Sequence, residues 1–477
     1  MRSGPVIGVD VGTSSAKAVV FAPGSGVLGS GSAEHPTRVP RPGWAEQDPA
    51  AWWTSVMAAV RAAVASAGVA GRDVTAIAVS GQGAALVALD GAGVPVFPAL
   101  IHLDQRAAVP SVAWRSDAAH GAWNVAAKLG WLRAEAPAAS EAAAVFTSAS
   151  GYLLRRLTGE AWQSHSDAGI ADLYDVAARG WSARGLAAAG VDQDRLPQLA
   201  SSTSVVGSLR PGPAADLGLS TSCLVVAGGE DTSSAALAAG VTGPADGFLS
   251  LGSAAVLGVA VPAGGDGPVP VLRFPHVLDG LDLLSGSNAT AGAALRWLAG
   301  LLGRPVDELL ALAAAEPAGA DGVDFLPYLA GELHPVADPA ARGVFAGLSL
   351  AAGPGTLARA VVEGTASAIA HNLAAARSAG ATPDALVAVG GPARSALWCQ
   401  AIADATGLPV TVASGDGAAG AAVGDAMLAA GEDSGEARVL AIEHLRTGRR
   451  HEPDPSEHDR AGQRLERLQR LYAATRG

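Results

Sequence analysis

Two aspartates carry the side chains best suited to chemistry in this sequence, and the first lies near the start of the chain. Asp10 ends a segment rich in β-branched residues and precedes a turn of Gly12, Thr13, Ser14 and Ser15. Such a turn leaves backbone N–H groups and hydroxyls uncovered, and this concave set of donors attracts an anion, most commonly phosphate. A carboxylate beside a phosphate is reasonable chiefly when a divalent cation lies between them, because two anions otherwise repel each other. The alternative is an ordinary β-hairpin in which Asp10 and the serines only support the turn.

The second aspartate is Asp231, which follows an apolar strand and precedes an alanine-rich helix. Taken alone, the residue is best interpreted as a cap for that helix. Gly228 and Gly229 point to a functional role, because two glycines allow a ligand to approach the backbone around the carboxylate closely. The two roles can coexist in one residue.

The elements that must position these aspartates follow one pattern in both halves of the chain. Residues 6–21 are typical of two strands joined by the first turn, and residues 248–257 repeat a strand, a turn with Gly252 and Ser253, and a strand. This repeat suggests two domains built alike that face one nucleotide. Further on, residues 386–395 run from a strand through glycines into a helix start, which suits a ribose or phosphate at a helix N-terminus.

The domain boundary is predicted in the linker-like segment 240–247. A chain of 477 residues is too long for one hydrophobic core, so two or more domains are expected. We therefore predict an N-terminal domain of residues 1–243 and a C-terminal domain of residues 244–477. A polar cluster at residues 102–106 also follows a strand, and strand ends are where open α/β sheets bind substrates.

Composition and charge exclude several classes of protein. The net charge of −12 argues against a nucleic-acid-binding protein. Asp10 interrupts the only early apolar run, so no signal peptide is expected. Residues 247–265 lack charge, but glycines, serines and a proline interrupt them, which favours two strands over a membrane span. Cys223 and Cys399 are too few for a disulfide framework and are expected to pack as small hydrophobic side chains. We predict a cytoplasmic protein without a membrane or nucleic-acid partner.

Four segments in this order resemble the FGGY family of sugar kinases, within the actin-like, ribonuclease H-like superfamily. They are residues 10–13, 229–231, 250–253 and 390–395. Three further segments resemble the xylulokinases of that family in particular: residues 44–49, 325–329 and 343–348. The resemblance implies an α/β fold with two ribonuclease H-like (actin-like ATPase) domains that close a central cleft on a sugar and ATP.

The resemblance also implies a role for each site residue. Asp231 would be the general base for a sugar hydroxyl, and Asp10 would hold Mg²⁺ through water. The implied sugar-binding residues are Gln82, Gly83, Ala84, Asp104 and Asp231. The implied ATP-binding residues are Gly12, Thr13, Ser14, Lys17, Gly252, Ser253, Gly391 and Ser395. The implied cofactors are ATP and Mg²⁺, and phosphoryl transfer needs both an in-line hydroxyl and a metal that bridges the phosphates.

The departures from the family pattern lie around the sugar. Residues 82–85 are Gln-Gly-Ala-Ala where xylulokinases typically carry Gln-Met-His-Gly, so the sugar-contacting histidine is missing. Ser150-Gly151 replaces a Lys-Asp pair, and residues 332–335 read Glu-Leu-His-Pro in place of Glu-Arg-Thr-Pro.

The sequence therefore predicts an ATP-dependent sugar kinase that phosphorylates a terminal primary hydroxyl of a ketopentose such as D-xylulose. Alternatives within the same class are kinases of a polyol (a pentitol or tetritol), an L-sugar or an aldonate. The alternative from another class is an actin-like nucleotide switch without sugar kinase activity. Asp231 argues against a switch, which has no need of a base for a sugar hydroxyl. Whether the chain forms a homodimer is left open.

Overall fold

The structure is a computed structural model that describes residues 1–107, 124–265, 269–414 and 420–476. Most strands of the described residues belong to two mixed sheets, one in each half of the chain. The strands are β1 (Val6–Val11), β2 (Ser15–Ala22), β3 (Gly26–Glu34), β4 (Glu46–Gln47), β5 (Ala76–Gly81), β6 (Val87–Leu89), β7 (Ala99–Leu100), β8 (Val145–Thr147), β9 (Trp162–Ser164), β10 (Tyr174–Asp175), β11 (Gly180–Trp181), β12 (Gln198–Ala200), β13 (Val205–Ser208), β14 (Leu224–Val226), β15 (Asp246–Leu251), β16 (Ala255–Pro262), β17 (Leu272–Pro275), β18 (Leu281–Asn288), β19 (Asp324–Leu326), β20 (Val344–Ala346), β21 (Ala385–Val389), β22 (Val410–Ala413) and β23 (Thr447–His451). The α-helices are α1 (Pro49–Ala67), α2 (Val125–Glu135), α3 (Pro137–Ala142), α4 (Ala149–Thr158), α5 (His165–Gly169), α6 (Ala183–Ala189), α7 (Pro211–Leu217), α8 (Asp231–Ala238), α9 (Gly292–Leu302), α10 (Val306–Ala315), α11 (Pro354–Ser378), α12 (Ala396–Thr406), α13 (Gly420–Ala430), α14 (Ser434–His444) and α15 (Pro455–Thr475).

The first sheet has the strand order β13-β14-β5-β1-β2-β3. Strand β1 pairs antiparallel with β2 and parallel with β5, so the chain reverses at the small turn after Val11. Asp10 and Lys17 are opposite each other in the register of this hairpin. The predicted strand–turn–strand at residues 6–21 is confirmed.

The second sheet repeats this arrangement with the order β17-β18-β16-β15-β21-β22-β23. Strand β15 pairs antiparallel with β16 and parallel with β21, as β1 does with β2 and β5. In each sheet a central strand, two antiparallel neighbours on one side and two parallel strands on the other form the same five-strand core. The predicted repetition of an α/β unit in both halves is confirmed.

Helix α1 shows how local sequence positions an element against the first sheet. The Asp48 side chain caps the helix by accepting from the Ala50 N–H at 2.9 Å, and Pro49 opens it. Gly29 and Gly31 on β3 allow close packing, since a Cβ at either position would come within 2.8 Å of the backbone at Ala63. The helix therefore covers β2 and β3 and buries Trp52.

Helices α8 and α13 join the two halves of the molecule. A Cβ at Gly424 would lie 2.7 Å from the Ser234 carbonyl carbon, and one at Gly8 would lie 3.0 Å from the Ala422 carbonyl carbon. Glycine at these positions therefore allows α13 to pack directly on α8 and on β1. Residues 420–444 belong to the second half of the sequence but pack on the first half of the molecule. The domain boundary at 243/244 therefore stays a prediction, and this segment extends across it in space.

The uncharged segment 247–265 does not form a helix. No helix in the described part of the chain is long and apolar enough to cross a membrane. The segment itself forms strands β15 and β16, as predicted. The run of small residues 417–422 predicts a helix that begins near residue 417. Residues 415–419 lie outside the described residues, and α13 is described from Gly420 onward.

Candidate active site

The turn after β1 places Asp10 beneath a set of small residues. The Gly12 N–H donates to the Ser15 carbonyl at 3.1 Å, which closes the turn. Asp10 is buried, and its Oδ1 accepts from the Ser80 hydroxyl at 3.2 Å. Burial, and next the charge of Asp231, raise the pKa of Asp10 to about 7, while Lys17 and the Ser80 hydrogen bond oppose this rise. A nearby cation would favour the ionised carboxylate.

Two buried side chains support this turn from behind, and neither was predicted. The His35 imidazole has Nε2 at 3.0 Å from the Gly12 carbonyl oxygen and Nδ1 at 3.0 Å from the Ser55 hydroxyl. The Gln47 amide donates to the Thr13 carbonyl at 2.6 Å. Both contacts hold carbonyls on one side, which leaves the opposite side of the turn for its N–H groups. Gln47 lies within the segment 44–49 that carries the family resemblance, whereas no sequence pattern identifies His35.

Asp231 is the first residue of α8, and the prediction that it caps this helix is wrong. Glu230 is the N-cap, and its carboxylate accepts from the Ser233 N–H at 2.9 Å. Asp231 is half-buried and accepts from the Thr232 hydroxyl at 3.2 Å. Its position at a helix N-terminus stabilises a negative charge. The cap role passes to the neighbouring acid, so the Asp231 carboxylate is available for other chemistry.

The carboxylate of Asp231 lies within electrostatic range of other acids that surround the same point. Its charge contributes to the raised pKa values of Asp10, Asp167, Glu230 and Asp425, for which burial is the largest cause. Asp425 reaches this cluster from α13 and accepts from the Ser234 hydroxyl at 2.8 Å. The structure therefore brings the two predicted aspartates together, with Asp425 as a third carboxyl that the sequence did not single out.

The residues predicted to contact the sugar are arranged around the turn after β5. Gly83 borders the base of α8, since a Cβ there would lie 3.2 Å from Glu230 Oε1. The buried Gln82 amide donates to Gln47 Oε1 at 2.8 Å, so its N–H group supports the phosphate turn indirectly. Ala84 is buried and adopts a positive φ of 54°. Ala84 has no polar side-chain atom for a sugar.

Asp104 is engaged in holding its own loop. Oδ2 accepts from the Ala45 N–H at 2.7 Å, and both carboxylate oxygens accept from the Arg106 Nε within 2.9 Å. Arg106 also pairs with Glu46 at 3.0 Å and stacks over the Trp44 ring. These contacts favour a tethering role for Asp104, and its predicted sugar contact is not supported by them.

His102, from the same polar cluster, is influenced by the charge of Asp231. Burial lowers its pKa to about 4, and the charge of Asp231 opposes this shift. The imidazole is therefore neutral at physiological pH and lies within electrostatic range of Asp231.

The predicted nucleotide residues of the second half gather at one edge of the second sheet. Strands β15 and β21 are parallel neighbours, so Gly252 and Gly391 follow adjacent strand ends. The Ser253 hydroxyl accepts from Arg296 at 2.6 Å, and its carbonyl accepts from the Ala291 N–H at 2.7 Å. Ser395 caps α12 by accepting from the Trp398 N–H at 3.3 Å, as a helix N-cap does.

A glycine is required where β21 ends. Gly390 has a φ of 100°, and a Cβ there would lie 2.9 Å from the Leu251 carbonyl carbon. The two glycine turns consequently touch each other. The second half of the chain also reaches the start of α8, because the Val277 N–H, just after β17, donates to the Ser233 hydroxyl at 2.9 Å. Asp231 therefore lies where the two halves of the molecule meet.

Comparison with known proteins identifies this arrangement. Models of the N-terminal and C-terminal domains of the FGGY family of carbohydrate kinases match residues 5–238 and 221–431. A xylulose kinase of Escherichia coli K12 is 32% identical over 479 residues, with 98% of each chain covered. The chain belongs to the FGGY family of carbohydrate kinases. As an FGGY kinase it uses ATP as the phosphate donor.

Solved structures of FGGY kinases share the fold over their full lengths. A structure described as a xyloylose kinase from Brucella ovis has a TM-score of 0.90 and 31% identity, with 99% of each chain covered. A xylulose kinase from Rhodospirillum rubrum has a TM-score of 0.86 and 32% identity, with 98% of each chain covered. The predicted fold class, two ribonuclease H-like domains of the actin-like ATPase type, is confirmed.

Proposed function

We propose that this FGGY kinase transfers the terminal phosphoryl group of ATP to a primary hydroxyl of a ketopentose, D-xylulose being the first candidate. The observation that carries the proposal is the position of Asp231, whose charge acts on Asp10 and whose helix receives a hydrogen bond from the second half of the chain at Ser233. The similarity of this chain to xylulose kinases of three species supports the choice of D-xylulose as the sugar.

Asp231 is the proposed general base. It lies at the start of a helix and is half-exposed, so a hydroxyl can reach it while the helix N-terminus stabilises the carboxylate. Accepting the hydroxyl proton as the new O–P bond forms typically contributes about 10²–10⁴-fold to the rate. The turn residues Gly12, Thr13 and Ser14, together with Lys17, are the proposed phosphate contacts of the first half.

Asp10 fits a contact to Mg²⁺ through water. The carboxylate accepts from one hydroxyl, and burial and the charge of Asp231 raise its pKa to about 7. Among the described residues no group of three or more His, Cys, Asp or Glu side chains is arranged to hold a metal, so nucleotide phosphates would supply the remaining ligands. When bound, Mg²⁺ neutralises charge on the phosphates.

The nucleotide contacts of the second half are proposed to be the two glycine turns. Gly252 and Ser253 would approach the phosphates, while Gly391 and Ser395 would line the adenosine pocket. The support is their common position at the ends of two adjacent parallel strands. We also propose a cytoplasmic location for the enzyme.

A second candidate substrate class is favoured by one observation. Ala84 and Gly83 stand where xylulokinases carry a histidine and a methionine, and neither supplies a polar side-chain atom to a sugar. A pentitol, tetritol, L-sugar or aldonate kinase is therefore the alternative to a ketopentose kinase.

A substrate panel tests the proposal. ADP release is measured with Mg-ATP alone and with D-xylulose, L-sugars, pentitols, tetritols and aldonates in turn. The proposal predicts turnover that depends on D-xylulose and a product phosphorylated at a primary hydroxyl. Turnover with a pentitol, tetritol, L-sugar or aldonate instead would establish the alternative class. ATP turnover that no compound stimulates would favour a nucleotide switch.

A further inference from the structure

Lysine occurs at only two positions in this chain, Lys17 and Lys128, and every other basic side chain apart from histidine is arginine. Lys17 belongs to the proposed phosphate site. Lys128 lies on α2 and is completely buried, which is rare for a lysine. Arginine has a wider, planar and permanently charged head group, whereas lysine has a compact amine that can lose its proton when buried.

The Lys128 amine joins two segments that border the active site. Its Nζ donates to the Ala84 carbonyl at 2.6 Å and to the Ile101 carbonyl at 3.0 Å. Ala84 ends the turn after β5 in the left-handed conformation, which an alanine adopts at a cost in free energy. Ile101 immediately precedes His102. A direct hydrogen bond to the Ala84 carbonyl helps to keep this unusual backbone in place.

Both segments lie near the start of α8. Gly83, adjacent to Ala84, borders the Glu230 cap of α8, and His102, adjacent to Ile101, lies within electrostatic range of Asp231. A shift of either segment would therefore move the walls on the sugar side of the proposed base.

The charges around Lys128 indicate how the amine is stabilised. Burial lowers its pKa to about 7, the charges of Asp104 and Asp172 oppose this shift, and Arg106 adds to it. The charge of Lys128 also lowers the pKa of His102. A neutral amine has two N–H donors, which matches the two carbonyl acceptors. The geometry is therefore served with or without the third proton.

We propose that Lys128 is a positioning residue for sugar binding: its amine fixes the carbonyls of Ala84 and Ile101 and so sets the distance between the two segments near the start of α8. This inference rests on the proposed function, because it concerns the sugar side of the same site. Lys128 itself donates to backbone atoms and is assigned no contact with the sugar.

The first test compares Lys128→Met, which keeps the length and removes the donors, with Lys128→Gln, which keeps two N–H donors on a shorter side chain. Lys128→Met should raise the KM for the sugar about tenfold or more, because two buried carbonyls lose their donor. The KM for ATP should stay within about twofold, and Lys128→Gln should recover part of the loss. A role in stability alone would lower the melting temperature without separating the two KM values.

Arg195→Met is the matched control. Arg195 also donates to two backbone carbonyls of the same half, those of Ser140 and Ala143, both at 2.5 Å. This variant should lower stability and leave the KM for the sugar unchanged. If Lys128→Met behaves like Arg195→Met, the inference is overturned. If the wild-type enzyme responds to no sugar, the proposed function fails first, and the two failures are thus distinguishable.

The second test uses the wild-type protein, so it decides the matter even if Lys128→Met does not fold. Protein labelled with ¹³C at the lysine ε-carbon should give two signals, which Lys17→Arg assigns. D-Xylulose should shift the Lys128 signal and ADP the Lys17 signal. A Lys128 signal unmoved by saturating D-xylulose, in a protein that phosphorylates this sugar, would overturn the inference.

Discussion

Gly424→Ala tests whether the packing of α13 on α8 positions the catalytic base. The added Cβ would lie 2.7 Å from the Ser234 carbonyl carbon and nearer still to its oxygen, against about 3.4 Å for ordinary contact. Both contacting atoms are backbone, so no side-chain rotation relieves the clash. The helices must separate by roughly 1 Å, and Ser234 is less than one turn from Asp231. A misplacement of about 1 Å can cost about 10²-fold in rate, and overpacking costs about 1–3 kcal/mol in stability.

Gly420→Ala on the same helix is the control, because its nearest neighbour would be the Ala235 side chain at 3.7 Å. Steady-state kinetics with saturating ATP and sugar would measure kcat, and urea denaturation would measure stability. We expect kcat of Gly424→Ala to fall about 10²-fold below that of Gly420→Ala. Equal kcat values and equal denaturation midpoints for the two variants would refute the claim that this contact positions Asp231.

Three further substitutions test the roles of buried polar side chains. His35→Ala removes the imidazole behind Gly12 and should raise the KM for ATP about tenfold while the KM for the sugar stays constant; equal changes in both would contradict a role in the phosphate turn. Asp104→Ala leaves the buried Arg106 without its nearest carboxylate and should cost about 3 kcal/mol in urea denaturation; unchanged stability with a raised KM for the sugar would support the predicted sugar contact instead. Burial raises the pKa of Glu332 to about 7 from 4.5, so the folded protein binds this proton more tightly than the unfolded chain and loses stability as the pH rises through that interval. Glu332→Gln should therefore gain stability relative to wild type between about pH 5 and about pH 8, and a constant difference in denaturation midpoint would show that Glu332 does not titrate in this range.

Local sequence patterns predicted the elements that depend on neighbouring residues. The β1–β2 hairpin and the strand pair β15–β16 both follow from short-range features such as turns and alternation. The ordered motifs also predicted the family and the fold, because a phosphate turn and a base must recur with similar spacing in related chains.

Contacts between distant parts of the chain could not be predicted from the sequence. Glu230 and Asp231 are adjacent acids, and only the backbone conformation at the start of α8 decides which of them caps the helix. Gln82 is predicted to bind the sugar, and its amide N–H donates to Gln47, 35 residues earlier in the chain. Asp104 is tied to Ala45, 59 residues away. No periodicity or spacing in one sequence encodes these pairs.

The docking of α13 is the largest feature that sequence reasoning missed. Residues 420–430 are uniformly small and apolar apart from Asp425, so they show that the helix is buried but not which sheet covers it. The close approaches at Gly8 and Gly424 become meaningful only when both elements are placed in space.

The most direct measurement is the kcat of Asp231→Asn together with its affinity for the sugar by calorimetry. If Asp231 is the base, D231N should bind D-xylulose within about threefold of wild type while kcat falls by about 10²–10⁴-fold. Asp194→Asn is the control: this exposed acid lies between α6 and β12, and its substitution should change neither kcat nor the affinity for the sugar. A D231N enzyme that turns over within a few-fold of the wild-type rate would contradict the assignment of Asp231 as the proton acceptor.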